Sequence, residues 1–266
     1  VKQFILVFTT LILGVTSIAQ DSTSRRSEKA DRRNEKRQRI ASMVKQEEEG
    51  VLSYTKQNVM GVQLRTNGYG VFFEKGIRRS PRWTNLYTLE LSEIKSRKEE
   101  KLGSTESFFG NSFIYGKINN FYQGKLGYGQ QYIFGQKGNK NGVAVTGSAV
   151  AGISIGMLRP YYLQVLDSTG RENQIKYEDD SLTFMGGPIL GGGGLGKGWG
   201  EMKINPGAFA KVALRFDFGR YNESVQAMEI GFSTEFYAKE VLIMNYNPRK
   251  HLFYQMHIAF VFGRRK

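Results

Sequence analysis

Leu252-Phe253-Tyr254-Gln255-Met256-His257-Ile258-Ala259-Phe260-Val261-Phe262-Gly263 is the stretch that decides how the chain is read. Side chains in a strand switch faces at every residue. Leu252, Tyr254, Met256, Ile258, Phe260 and Phe262 therefore fall on one side, and Phe253, Gln255, His257, Ala259, Val261 and Gly263 on the other. The first face is greasy and aromatic over about ten residues, the length of a strand crossing a bilayer at a tilt. Several such segments behind a secretory leader read as an all-β, antiparallel transmembrane β-barrel, with lipid outside and small or polar groups inside.

The same period recurs upstream. Met60, Val62 and Leu64 oppose Gly61, Gln63 and Arg65, after which Asn67-Gly68 is expected to supply the positive φ values of a two-residue hairpin turn. Tyr69, Val71 and Phe73 oppose Gly70, Phe72 and Glu74, and Trp83, Tyr87, Leu89 and Leu91 oppose Thr84, Thr88, Glu90 and Ser92. Residues 109–118 read as a weaker strand, followed by 122–134, 143–157, a short strand at 161–165, then 208–219 and 228–236. The total is about ten strands, or twelve if residues 239–246 or the long connection add a hairpin. An even count puts both termini on one side, taken as periplasmic, with short turns at 78–82, 119–120, 159–160 and 220–224 on that side. The long segments at 95–108, 167–206 and 239–250 are then extracellular.

Before the barrel, residues 1–19 carry a lone Lys2, an apolar run from Phe4 to Val15 and the small-residue site Ser17-Ile18-Ala19. This reads as a signal peptide, because a spanning helix needs roughly 20 apolar residues. Residues 20–57 form a basic periplasmic arm, partly helical, with Arg32, Arg33, Lys36, Arg37 and Arg39 as its interaction residues. Glu28 with Arg32 and Glu35 with Arg39 are spaced as i,i+4 pairs. The arm is expected either to dock a periplasmic or envelope protein or to plug the lumen, and residues 58–266 form the barrel.

The formal charge is +14, and many of the basic residues lie in one block of that arm, from Arg25 to Lys45, which points to anionic headgroups or an acidic partner and away from nucleic acid. With no cysteine there are no disulfides, thiolate metal sites or cysteine nucleophiles. A mean hydropathy of −0.41 carries no weight against insertion, because lipid-facing and lumen-facing residues alternate.

If the alternation holds, the lumen carries Arg65, Glu74, Glu90, Lys125, Lys211, Arg215, Asp217, Glu229 and Glu235. Both signs are present in similar number, so these side chains are expected to form a structural charge network and not to line a water channel. The tract from Gly186 to Gly198 contains a GxxxxGK spacing, but Gly198 stands where a phosphate loop needs Ser or Thr. It reads as a flexible surface loop containing Lys197, with Trp199 folding it over the mouth. His251 and His257 lie roughly 20 Å apart on one strand, too far to share a metal. No nucleophile–base or paired-carboxylate spacing is present, so no enzymatic activity, cofactor or metal is expected.

The Ser17-Ile18-Ala19-Gln20 leader end, the basic arm, the Asn67-Gly68 hairpin and the ending Phe260-Val261-Phe262-Gly263-Arg264-Arg265-Lys266 together resemble outer-membrane barrel proteins of Bacteroidota, including the broad OmpA-like and PorT-like families. The chain departs from them in its basic tail, where many such proteins end on an aromatic residue, so assembly would have to read Tyr254 to Phe262 internally. The resemblance implies a structural or secretion-accessory role without catalytic residues. The expected function is an outer-membrane anchor and interaction scaffold; the alternative is a small pore or ligand transporter gated by the glycine-rich loop. A soluble β-sandwich or lipocalin-like binder conflicts with so many outward aromatic faces.

Overall fold

The computed structural model describes residues 31–38, 40–41, 54–103, 112–138, 141–167, 169–194 and 196–266. The chain divides into two compact units, Val1–Val51 and Leu52–Lys266. In the first, residues 31–38 and 40–41 are helical and exposed, and Arg32, Arg33, Lys36 and Arg37 all sit on that helix. Residues 1–19, expected to be a signal peptide, and Arg39 lie outside the described residues.

The second unit is built on strands. In chain order they are β1 (Lys56–Arg65), β2 (Gly68–Arg78), β3 (Trp83–Ile94), β4 (Lys101–Leu102), β5 (Phe113–Ile114), β6 (Asn119–Gly135) and β7 (Ala144–Pro160). Then come β8 (Tyr162–Leu166), β9 (Glu172–Lys176), β10 (Ile189–Gly192), β11 (Lys203–Asp217), β12 (Ser224–Val241) and β13 (Lys250–Arg265). Eight of them close a barrel in the order β1-β13-β12-β11-β7-β6-β3-β2, every neighbouring pair antiparallel.

The wall therefore has eight strands where the alternation suggested ten. Of residues 109–118 only Phe113–Ile114 is a strand among the described residues, and it pairs with Lys101–Leu102. The run at 161–165 became β8, which joins β9 and β10 in a separate three-stranded sheet. Both runs fall short of the roughly 9–11 residues a tilted strand needs to cross a bilayer, and a period of two does not by itself distinguish a wall strand from a loop strand. The side assignment changes with the count. Asn119 pairs with Pro160, so residues 119–120 and 159–160 lie on the rim with the long connections, not on the rim that holds the termini.

Three boundaries move as well. Tyr54 is buried and β1 begins at Lys56, so the barrel starts before residue 58. Residues 203–206 belong to β11, which leaves 161–202 as the long connection. Arg65 pairs with Gly68 across a Thr66-Asn67 loop, and only Gly68 takes a positive φ, +155°. A Cβ on Gly68 would stand 1.9 Å from the Glu93 carbonyl oxygen, which is why glycine occupies that corner.

The wall's two faces differ sharply. On β13, Leu252, Tyr254, Met256, Ile258, Phe260 and Phe262 are all exposed outward, as are Met60, Val62, Leu64, Leu89, Leu91, Leu126 and Tyr128 on other strands. At about 3.3 Å per residue the β13 series runs roughly 33 Å along the strand, which a tilt of about 40° converts to a band roughly 25 Å tall. That height matches a bilayer's apolar layer. Inside, bulky rings use the space left by glycines: Phe72 lies 2.5 Å from where a Cβ on Gly61 would stand, and Phe209 lies 2.8 Å from the same position on Gly127.

Candidate functional site: a filled lumen and a structured rim

All nine ionisable residues expected inside the barrel point inward, and they fall into three groups. The first centres on Glu235 of β12, which accepts hydrogen bonds from Arg65 Nη2 (2.5 Å), Gln123 Nε2 (2.6 Å), Lys125 Nζ and Gln255 Nε2. Glu90 accepts from Lys125 Nζ at 2.9 Å and Arg65 Nη1 at 3.3 Å, and Arg65 also donates to Gln123 Oε1 at 3.1 Å. In the second group Arg215 donates two bonds of 2.9 Å to Glu74 and reaches Glu229 through Nε (2.9 Å) and Nη2 (2.6 Å). Lys211 Nζ lies 2.9 Å from Glu229, and His257 Nε2 lies 3.3 Å from it. The third group joins Asp217 to Arg265 at 2.6 Å, Lys137 at 3.4 Å and the Gly219 N–H at 2.8 Å.

A buried charge is tolerated only when its lone pairs or protons are taken up by partners. Glu229 and Glu235 are fully buried and each has several donors, so both meet that condition, while Arg265 Nε and Nη1 have no partner among the described residues. A separate buried polar chain runs from Gln57, which donates to Gln131 at 2.8 Å, to Thr146, which accepts from Gln131 at 2.8 Å. Arg265 and Lys137 were missed from the sequence. Arg265 shares the parity of Gln255 and His257, so extending the alternation past Gly263 would have found it. Lys137 lies in the β6–β7 connection and had no such signal.

Both ends of the lumen are closed. Toward the long connections Phe121, Tyr237 and Phe253 meet with ring centroids 5.3 to 6.0 Å apart, packed with Ile94, Leu158, Val241, Ile243 and Met244. At the other end the Tyr54 ring lies between the guanidinium groups of Arg78 (5.2 Å) and Arg265 (5.1 Å), and its hydroxyl is 3.0 Å from Thr84 Oγ1.

Within the tract from Gly186 to Gly198, read from the sequence as a flexible surface loop, Ile189–Gly192 forms β10 and pairs with β8, beside a packed part of the same connection. Leu163, Val165, Ile175, Phe113 and Phe184 make a buried cluster of their own, in which β8, β9 and the short helix Ser181–Gly186 meet. Asp180 caps that helix by accepting the Leu182 and Thr183 N–H groups, and its bonds from Thr183 hold its carboxyl below the usual range. Trp199 does not fold over the mouth, which Phe121, Tyr237 and Phe253 already fill. It stacks on Tyr122, which belongs to the outward series of β6, with centroids 5.8 Å apart and planes at 14°, and the Arg159 guanidinium lies 4.7 Å above its ring. Lys197 is exposed nearby. Glu201 ties this turn down by accepting from Lys176 and from the Tyr162 hydroxyl at 2.6 Å, and those bonds hold its carboxyl below the usual range.

A closed eight-strand antiparallel barrel with a greasy outer wall, a charged packed interior and a structured rim defines the class: a small β-barrel of the membrane-spanning type. No protein-family model and no curated protein matches the sequence. Among solved structures, the chain is similar to Neisserial surface protein A at 7% identity, with a TM-score of 0.41, covering 79% of this chain and 96% of that one. It is also similar to Ail, the attachment invasion locus protein of Yersinia pestis, in complex with the heparin analogue sucrose octasulfate (8% identity, TM-score 0.38, 80% and 100% covered). A third is the N-terminal β-barrel domain of Pseudomonas aeruginosa OprF (9% identity, TM-score 0.35, 79% and 98% covered). These neighbours are outer-membrane β-barrel proteins, and the likeness is one of general form.

Proposed function

We propose that this chain is a closed, non-conducting outer-membrane barrel that anchors and presents an interaction platform, as an accessory of an envelope secretion or assembly complex. The single observation that carries this reading is the filled lumen, in which Arg215 bridges Glu74 and Glu229 while Phe121, Tyr237 and Phe253 close the mouth. Such a core gives a rigid mount and leaves binding to the surfaces. On the rim that holds the termini, Lys56, Lys75, Arg264 and Lys266 face outward just beyond Met60, Phe73 and Phe262, where anionic lipid headgroups would meet them. The exposed Arg32, Arg33, Lys36 and Arg37 of the arm suit an acidic protein partner.

The test has three readouts. Protein from outer membranes should migrate faster on gels before boiling than after. It should give no ion conductance in a planar bilayer, and deletion of residues 20–57 should release co-purifying proteins while leaving the barrel inserted. Steady single-channel conductance would overturn the filled-lumen reading in favour of a pore. Partners that survive the deletion would overturn the role of the arm.

A further inference from the structure

We infer that a cleft on the outside of the loop-side rim binds an anionic sugar, a saccharide ring carrying phosphate groups. The inference rests on the membrane-inserted reading above for its position but not for its chemistry. The floor of the cleft comes from wall strands in register: Tyr69 pairs with Glu93 and Glu93 with Tyr122, while Asn120 pairs with Arg159. These outward positions follow directly on Val71, Leu91 and Leu126, so the cleft begins where the apolar belt ends. Loop residues including Lys95, Lys101, Lys117 and Tyr161 wall it, and it encloses about 960 Å³, room for a sugar with its substituents.

The chemistry of the lining is one-sided. Four cations and two carboxylates face the cleft, and both carboxylates are already engaged. Glu99 accepts from Lys117 Nζ at 2.8 Å and from the Ser96 N–H at 3.0 Å, while Glu93 accepts from the Tyr69 hydroxyl. Lys95 and Lys101 have no carboxylate partner among the described residues, and Lys95 Nζ rests over the Tyr69 ring at 4.9 Å. The decisive group is Asn120. It is only 7% exposed, lines the cleft, and its side-chain N–H₂ has no hydrogen-bond partner among the described residues. Burying an unsatisfied donor is costly, and the cost is recovered when a ligand oxygen accepts from it. With Lys95, Lys101 and the Asn120 N–H₂ lacking an acceptor among the described residues and both carboxylates engaged, the lining selects an acceptor-rich anion over a cation or a plain polyol. Tyr69, Tyr122 and Tyr161 add the flat apolar faces that a sugar ring covers.

Two sources carry that chemistry: a phosphorylated sugar headgroup of a lipid in the surrounding leaflet, and a soluble sugar phosphate. The full chain is tested in phosphatidylethanolamine nanodiscs with and without lipid A, by native mass spectrometry, and against glucose phosphate and glucose by fluorescence titration. Retained lipid A without glucose phosphate binding supports the headgroup source, and saturable glucose phosphate binding supports the soluble one. In either case K95E/K101E and N120L should each weaken binding by about tenfold or more, the loss expected for a charge-assisted or buried hydrogen bond. Failure of both probes to bind, equal binding of uncharged glucose, or binding unaltered in both variants would overturn the site. Heat-modifiable mobility, scored on every sample, separates that outcome from failure of the barrel reading. The exposed lysine pair keeps the test informative should N120L not fold.

Discussion

Inside the barrel, Arg215 is buried and held between Glu74 and Glu229 with every bond between 2.6 and 2.9 Å; at the rim, Lys95 and Lys101 are exposed with no carboxylate partner among the described residues. The same kinds of side chain serve opposite ends. A buried charge must be neutralised where it stands, so the charges of the interior are satisfied largely by one another. A charge in water pays no such penalty and remains available. Binding capacity on this molecule therefore belongs to its rims, and the interior supplies rigidity.

The largest effect expected from breaking that contrast is in the interior. Removing one partner of a buried pair leaves an uncompensated charge and costs about 3–5 kcal/mol. Glu235→Leu, which leaves Arg65 and Lys125 to share the single carboxylate of Glu90, should lose that much in urea unfolding followed by gel mobility. Lys101→Glu at the rim should stay within about 0.5 kcal/mol of the parent. Equal effects at the two sites would mean that the interior is wet, and the contrast would fail. A double-mutant cycle sharpens it: Arg215→Met alone strands Glu74, so adding Glu74→Leu to it should recover stability rather than cost more.

A smaller effect probes the outer wall. Leu126→Arg places a cation on the outward face near the middle of β6 and should cost about 2–4 kcal/mol in lipid, whereas Ile77→Arg, near the terminal rim, should cost about 0–1 kcal/mol. Refolding yields into vesicles would report the difference. Indifference to depth would mean that this face does not lie in a bilayer.

How much of this was legible in the sequence follows from how each feature is encoded. The eight wall strands repeat with period two, and parity alone places Arg65, Lys125 and Glu229 on the inner side. What parity cannot encode is which strand neighbours which, and so β5 and β8 were taken for wall strands although they pair in small sheets of the loop region. Lys137 reaches Asp217 across 80 residues of sequence, a contact created only by closure of the wall. The rim cleft is hidden for the same reason. Tyr69, Glu93, Asn120 and Arg159 are far apart in the chain and meet only through the registers of β2, β3, β6 and β7.

The smallest expected effect concerns the turn that carries Trp199. Lys176, from β9, and Tyr162, from β8, both donate to Glu201, and these bonds hold the Glu201 carboxyl below its ordinary 4.5. A carboxyl whose folded-state pKa is depressed contributes stability above its unfolded value and loses it as pH falls through the folded one. The turn should therefore be unchanged from neutral pH down to the ordinary carboxylate range, and loosen only in stronger acid. The pair is solvent-exposed, so the effect should be modest and should shrink with added salt. Trp83 and Trp199 are the only tryptophans, so a Trp83→Phe background isolates the signal from Trp199 as it leaves Tyr122. Iodide quenching should rise only below that range, and Glu201→Gln should show the loosened turn already at neutral pH. A transition near neutral pH, well above the carboxylate range, would mean that a group other than the Glu201 carboxyl holds the turn.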